Sequence, residues 1–238
     1  LISLALQRAV EGGLGKERAR GTLERLDVQH ADAFTCIWRA GDTAIDDYSH
    51  DEALTAEHVV PAAVVIPQST DEVAAILRVA DEHGIAVSAR GSGTGLSGGC
   101  NPVPGGIVVS FEAMNHILEI DTENYTATVE PGVQLDELDA VLAPMGLVYP
   151  VFPGEYSASL GGNVNTNAGG MRAVKYGVTR HHVIGLEAVL AGGEVITTGG
   201  KIVKVSTGYD LTQLIIGSEG TLADRKSTRL NSSHLVIS

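Results

Sequence analysis

The chain has 238 residues, 44% of them apolar and 19% charged, with 29 glycines and only 4% aromatics. That length allows one large domain or two small ones, and the aliphatic content suits a packed core rather than a disordered chain. A formal charge of −13 argues against nucleic acid and anionic lipid as partners.

Residues 1–35 read as a helical lead-in of mixed charge, and residues 40–58 as acidic and irregular. Val59–Pro67 is a β-branched apolar run, the pattern of a buried strand. Ser69 and Glu72 fit a capping box, and Val73, Ile76, Leu77 and Ala80 then recur on one helical face until Gly84. Ile85–Ala89 follows as a second strand, which completes a β-α-β unit. Beyond it, Ile107–Phe111, Ile117–Ile120 and Tyr125–Glu130 read as strands. Gln134–Leu142 reads as a short helix with Leu135, Leu138, Val141 and Leu142 inward. Leu147–Pro150 is extended, and residues 153–170 show little periodicity. Ile184–Leu190 and Glu194–Thr198 flank Gly192-Gly193 as a hairpin. Helices and antiparallel hairpins after one β-α-β unit predict an α+β fold in two subdomains.

Residues Asp224–His234 stand apart: they read, codon for codon, as one frame of a common DNA-sequencing adapter. Residues 224–238 are therefore expected to be an artefact and to take no part in the fold. No signal peptide is recognisable and no apolar run reaches the length that spans a bilayer. Cys36 and Cys100 lack metal or redox spacing, so a reduced, cytoplasmic setting is the default.

The sharpest feature is the loop Arg90-Gly91-Ser92-Gly93-Thr94-Gly95-Leu96-Ser97-Gly98-Gly99. Such a run exposes successive main-chain N–H groups with few Cβ atoms in the way, a concave site for a pyrophosphate. Ser92, Thr94 and Ser97 add hydroxyls, and Arg90 can pair with phosphate or with a nearby carboxylate. Gly93, Gly95 and Gly98 also satisfy G-x-G-x-x-G. However, Pro102, Pro104, Gly105 and Gly106 follow at once and no helix can open, which disfavours a Rossmann nicotinamide site. A P-loop is absent. A second segment places Asn163, Asn165, Thr166 and Asn167 between the glycine pairs Gly161-Gly162 and Gly169-Gly170. That mix of donors and acceptors at close backbone range suits the ring edge and ribityl chain of a flavin. The adjacent His181 and His182, placed on a strand, would point to opposite faces, so no metal site is read there. Asn124-Tyr125-Thr126 is a glycosylation sequon, read as a plain turn.

Taken in order, R-G-S-G-T-G-L-S-G-G, P-G-E-Y-S-A-S-L-G-G-N-V-N-T-N-A-G-G, K-Y-G and T-G-Y-D-L-T-Q-L-I-I-G-S-E-G-T-L resemble the p-cresol methylhydroxylase-type FAD domain of FAD-linked oxidases. The resemblance is strongest to the branch holding glycolate oxidase D-subunits, D-lactate dehydrogenases and D-2-hydroxyglutarate dehydrogenases, and covers roughly residues 40–222. It implies a lead-in over 1–57 and an FAD domain over 58–223, divided into 58–112 and 113–223. It implies pyrophosphate binding at Arg90, Gly91, Ser92, Gly93, Thr94, Gly95, Leu96 and Ser97. Flavin and ribityl contacts are implied at Pro153, Gly154, Ser157, Gly161, Gly162, Asn163, Thr166, Asn167, Gly169 and Gly170, with Gly217, Glu219 and Gly220 closing the site. Some relatives tether FAD through a histidine where this chain has Thr94, so noncovalent FAD is expected. Ala223 stands where many relatives have glycine.

Relatives of this branch oxidise a 2-hydroxy acid to a 2-oxo acid. Their base and metal-ligand histidines lie in a C-terminal substrate domain, so no catalytic base is named and the chain alone is expected to be inactive. The electron acceptor and oligomeric state stay open. A sugar or alditol oxidase or an ether-lipid synthase of the same superfamily is the alternative, and a non-catalytic flavin-binding module is the alternative from another class.

Overall fold

The structure is a computed structural model and describes residues 37–39, 43–202, 204 and 206–231. The expected lead-in helix and Cys36 lie outside the described residues. The chain divides between Ala113 and Met114 into two compact units, with the turn Ala191–Glu194 counted in the first.

The first unit holds a four-stranded sheet of β1 (Ile37–Arg39), β2 (Ala63–Ile66), β3 (Val87–Arg90) and β4 (Ile107–Ser110), in the order β1-β2-β4-β3. β4 runs parallel to both β2 and β3, while β1 is antiparallel to β2. Strands β2 and β4 are buried along their whole length, as continuous β-branched runs at the centre of a parallel sheet should be. Between β2 and β3 lies helix α1 (Thr70–His83). Ser69 caps it by accepting the Glu72 N–H at 3.3 Å, and the Glu72 carboxylate accepts the Gln68 N–H at 2.7 Å. Gly84, at φ +62°, ends it. Val73, Ile76, Leu77 and Ala80 are all buried, as their spacing requires. The β-α-β unit nonetheless skips one strand position, and β4 fills the gap. Helical and strand periodicities report which faces are buried, not which strand is a neighbour.

The second unit carries a five-stranded antiparallel sheet of β5 (Ile117–Asp121), β6 (Thr126–Val129), β7 (Val183–Val189), β8 (Val195–Gly199) and β9 (Asp224–Asn231), in the order β5-β6-β9-β7-β8. Helix α2 (Leu135–Leu142) presents Leu135, Leu138 and Leu142 to the core, but Val141 is 38% exposed, against expectation. The step from Leu138 to Val141 falls short of a full turn and carries it to the rim of the apolar stripe. The 153–170 segment also differs from its reading as irregular. It contains helix α3 (Leu160–Thr166), whose buried Leu160 and Val164 are too few and too glycine-flanked to show a period. Short helices α4 (Ala173–Tyr176) and α5 (Leu211–Ile215) complete the unit.

Strand β9 falls in the segment expected to take no part in the fold, yet its main chain pairs with β6 on one side and β7 on the other. A ladder is built from main-chain N–H and C=O groups, which almost any sequence supplies, so β9 pairing does not depend on where these residues came from.

Candidate functional site: two glycine-rich cradles

In the first unit, β3 delivers the chain into the glycine loop, which is half-buried from Gly91 to Gly95. Arg90 bonds to main chain of its own unit. Its guanidinium donates to the carbonyls of His50 at 2.6 Å and Asp47 at 3.0 Å, and lies over the Tyr48 ring at 5.5 Å. It therefore fastens the start of the loop to the turn at Thr43–Tyr48. Gly93 adopts φ +75° and a side chain there would run into the Arg90 guanidinium. The main-chain N–H groups of Gly93, Thr94, Gly95 and Leu96 meet no protein acceptor among the described residues. Donors left unspent on a half-buried loop call for a ligand or solvent acceptor.

Beneath this loop the sequence reading missed two residues, Asp51 and Asn101. The Asp51 carboxylate, 5% exposed, accepts the Gly98 N–H at 2.8 Å, and Asn101 Oδ1 accepts the Asp51 N–H at 2.8 Å. Asp51 sits in a stretch whose acidity shows only as composition, and nothing local marks it as a partner of residues more than forty positions away. Cys100 is half-buried beside Arg90, and burial pushes its thiol up.

In the second unit the predicted residues gather around α3. Ser159 caps the helix by accepting the Gly162 N–H at 3.3 Å. Gly161 is buried and donates to the Pro131 carbonyl at 2.8 Å; a Cβ there would come within 2.6 Å of the Pro131 side chain. This glycine is needed for close packing. Thr166 donates back to the Gly162 carbonyl at 3.1 Å, and Asn167 closes the helix in the left-handed region at φ +50°. Asn163 is 4% exposed and its Nδ2 has no hydrogen-bond partner, a buried polar donor awaiting an acceptor. Gly169 packs on Val178 and Gly170 on the Phe152 carbonyl. Pro153 and Gly154 lie in the approach to α3, where the Ser157 N–H and hydroxyl hold the Glu155 carboxyl below its ordinary value.

The turn Gly217–Gly220 docks onto the same helix. Gly217 N–H donates to the Val164 carbonyl at 3.0 Å, Glu219 N–H to the Asn165 carbonyl at 3.0 Å, and Gly220 N–H to Asn165 Oδ1 at 3.0 Å. Glu219 takes a left-handed φ of +50°, unusual for a residue with a side chain, and these bonds hold it there. Asn165 and Arg180 are the two residues here that the sequence reading did not assign to the site. Asn165 was visible only as one asparagine among several. The Arg180 N–H donates to Asn167 Oδ1 at 3.0 Å and its guanidinium to the Ile216 carbonyl at 3.3 Å, which ties α3 to the 216–220 turn. Arg180→Ala is expected to cost about 1–2 kcal/mol through the lost bond and the lost packing of its stem. A urea midpoint would show it, together with faster proteolysis between α5 and β9; an unchanged midpoint would count against this anchoring role.

His181 and His182 lie at the end of a short 3-10 turn rather than on a strand. His181 is exposed and accepts the Val178 N–H, while His182 is fully buried, with Nε2 at 2.9 Å from the Tyr176 carbonyl and its ring edge-on to Tyr149. Burial pushes the Tyr149 phenol well above its ordinary range.

Each unit thus carries a polar, glycine-built surface with unspent donors, the kind of surface that takes an anion or a polar ring edge. The sequence matches the FAD binding domain family over residues 61–199. The chain belongs to that family. FAD is its cofactor, and the chain is similar to proteins of the FAD-linked oxidoreductase branch. An uncharacterized FAD-linked oxidoreductase of Mycobacterium tuberculosis is 61% identical over 183 residues, 77% of this chain and 40% of that protein. Glycolate oxidase subunit GlcD of Bacillus subtilis is 52% identical over 74% of this chain and 37% of its own length. A D-lactate dehydrogenase of Anaerostipes hadrus is 45% identical over 76% and 38%. The chain thus spans about 40% of the length of the relatives it matches. Among solved structures, an alkyldihydroxyacetonephosphate synthase shares the fold with a TM-score of 0.74 at 20% identity, over 89% of this chain and 40% of that one. The FAD-binding domain is thus α+β in two units, as its mixed helices and hairpins predict. No described helix is long and apolar enough to cross a membrane.

The residues fit the group. The free N–H groups at Gly93–Leu96 suit an anionic bridge such as a pyrophosphate, and the unpartnered Asn163 amide suits a polar ring edge or hydroxyl chain.

Proposed function

We propose that this chain is the cofactor-holding part of an enzyme that oxidises a D-2-hydroxy acid, such as glycolate or D-lactate, to the 2-oxo acid. The observation that carries the cofactor half is the half-buried loop of unspent N–H donors. The names of the similar proteins support the substrate half. In this reading Gly91–Ser97 bind the pyrophosphate through main-chain donors and the Ser92, Thr94 and Ser97 hydroxyls. Arg90 serves this site too: two of its five N–H groups hold the loop through the His50 and Asp47 carbonyls, and the guanidinium adds positive charge beside the phosphates. Pro153, Gly154, Ser157, Gly161, Gly162, Asn163, Thr166, Asn167, Gly169 and Gly170 serve the flavin and ribityl portion, with Gly217, Glu219 and Gly220 beside them. Thr94 offers no ring nitrogen for a covalent tether, so FAD is held noncovalently. Bound FAD supplies the two-electron acceptor for the alcohol carbon. The chain's own residues bind and orient it. We place the protein in the cytoplasm.

The test has two stages. The folded chain, titrated with FAD, is expected to quench flavin fluorescence and to release all its flavin on acid treatment. A folded chain that neither retains nor takes up FAD would sink the reading, and flavin left on the acid-precipitated protein would overturn the noncovalent assignment. The whole protein carrying this domain is then offered glycolate, D-lactate and D-2-hydroxyglutarate with a dye acceptor. Reduction by none of them overturns the substrate class and leaves the cofactor intact.

A further inference from the structure

The FAD reading gives the glycine loop a ligand, but it does not say what keeps a loop made mostly of glycine, serine and threonine in a binding shape. Such a sequence is intrinsically mobile, and ordering it on binding would cost affinity. The structure shows a brace. Asp51 is 5% exposed and both of its carboxylate oxygens are engaged by main chain: Oδ2 accepts the Gly98 N–H at 2.8 Å and Oδ1 accepts the Ala53 N–H at 3.0 Å. The next residue, Glu52, donates its N–H to the Gly95 carbonyl at 2.9 Å. Asn101 closes the ring: its side chain accepts the Asp51 N–H at 2.8 Å, and its own N–H donates to the Gly98 carbonyl at 3.1 Å. One short segment therefore grips the loop at Gly95 and at Gly98. The stretch Gly93–Leu96 carries the unspent donors. At Gly95 a Cβ would come within 3.1 Å of the Asp51 carboxylate, and at Gly98 within 3.0 Å of Ala56. The loop is thus seated directly on the brace.

We infer that Asp51 is a positioning residue for the phosphate-binding loop: it holds the loop in its binding shape before FAD arrives. This rests on the FAD reading above. A carboxylate is an odd neighbour for an anion site, and that oddity gives the inference a sign. If Asp51 acted on the cofactor by charge, it would repel the phosphates, and removing the charge would tighten binding. If it acts through geometry, removing an acceptor oxygen must weaken binding. Asparagine is nearly isosteric but offers one acceptor and sets its NH₂ against a second N–H donor. Alanine offers none.

The experiment measures FAD dissociation constants for the wild-type chain, Asp51→Asn and Asp51→Ala. It also measures amide hydrogen exchange of residues 91–99 in the FAD-free proteins, at a temperature where circular dichroism shows each variant folded. The expected result is FAD binding weakened about tenfold in D51N and about a hundredfold in D51A, with loop exchange faster in the same order before any FAD is added. Should D51A fail to fold, D51N decides. FAD binding that is unchanged or tighter in folded D51N overturns the inference while leaving the FAD reading standing. Weaker binding with unchanged loop exchange also overturns it, because the effect would then not pass through the loop. A folded wild-type chain that binds no FAD removes the reading on which the inference rests, and the inference with it.

Discussion

Replacing Gly170 with alanine is expected to destabilise the second unit by about 3 kcal/mol and to empty it of flavin. Gly170 has φ +154°, and a Cβ there would run into the Phe152 carbonyl oxygen while lying 2.7 Å from the Phe152 carbonyl carbon and 2.8 Å from Pro153 Cα. All of these are backbone atoms, so no rotamer change can make room. The strand of chain at 152–153 must move instead, and it leads through Gly154 and Ser157 into α3. The other side of Gly170 is tied as well, since its carbonyl accepts the Ala173 N–H at 3.0 Å at the start of α4. Gly154→Ala is the contrast. It carries φ +110° but has nothing within 4 Å of a Cβ, so only the backbone cost applies, about 1 kcal/mol. Urea midpoints and flavin content of the two variants check the pair. Equal losses would mean that the Phe152 contact does not matter.

Gly93→Ala is expected to weaken FAD binding between about tenfold and a hundredfold with a much smaller effect on overall stability. The new methyl would occupy the space of the Arg90 guanidinium, and Gly93 already requires φ +75°. Arg90 can swing away only by giving up its bonds to the His50 and Asp47 carbonyls and its place over Tyr48. The start of the loop is then untied at the point where the chain leaves β3. A double-mutant cycle with Arg90→Ala separates the two costs. If the clash is the cause, the double variant should bind FAD no worse than R90A alone. Additive losses would place the effect in the glycine backbone instead. Fluorescence titration provides all four constants.

Much of the local structure was legible because it follows from local rules. Ser69, Glu72 and Gly84 mark the ends of α1 by capping chemistry, and the hairpin around Gly192-Gly193 follows from turn preference. Helix α3 was not legible, since a seven-residue helix with two glycines carries almost no period. Val141 was misplaced because an apolar residue near a stripe looks like one in it.

The candidate site divides in the same way. Chemistry that depends on residue type along a continuous stretch shows in the sequence: a glycine loop that frees N–H donors, and asparagines between glycine pairs. Sequence alone thus determined a glycine-rich loop feeding from a strand and a second polar, glycine-flanked segment. Only tertiary structure decided that β4 lies between β2 and β3, that Arg90 donates to the His50 and Asp47 carbonyls, and that Asp51, Asn101, Asn165 and Arg180 bond to main-chain groups distant in sequence. The reason is physical. Those residues act through single hydrogen bonds to main-chain groups far away in sequence, and a main-chain N–H or carbonyl looks the same at every position until the fold brings a partner to it.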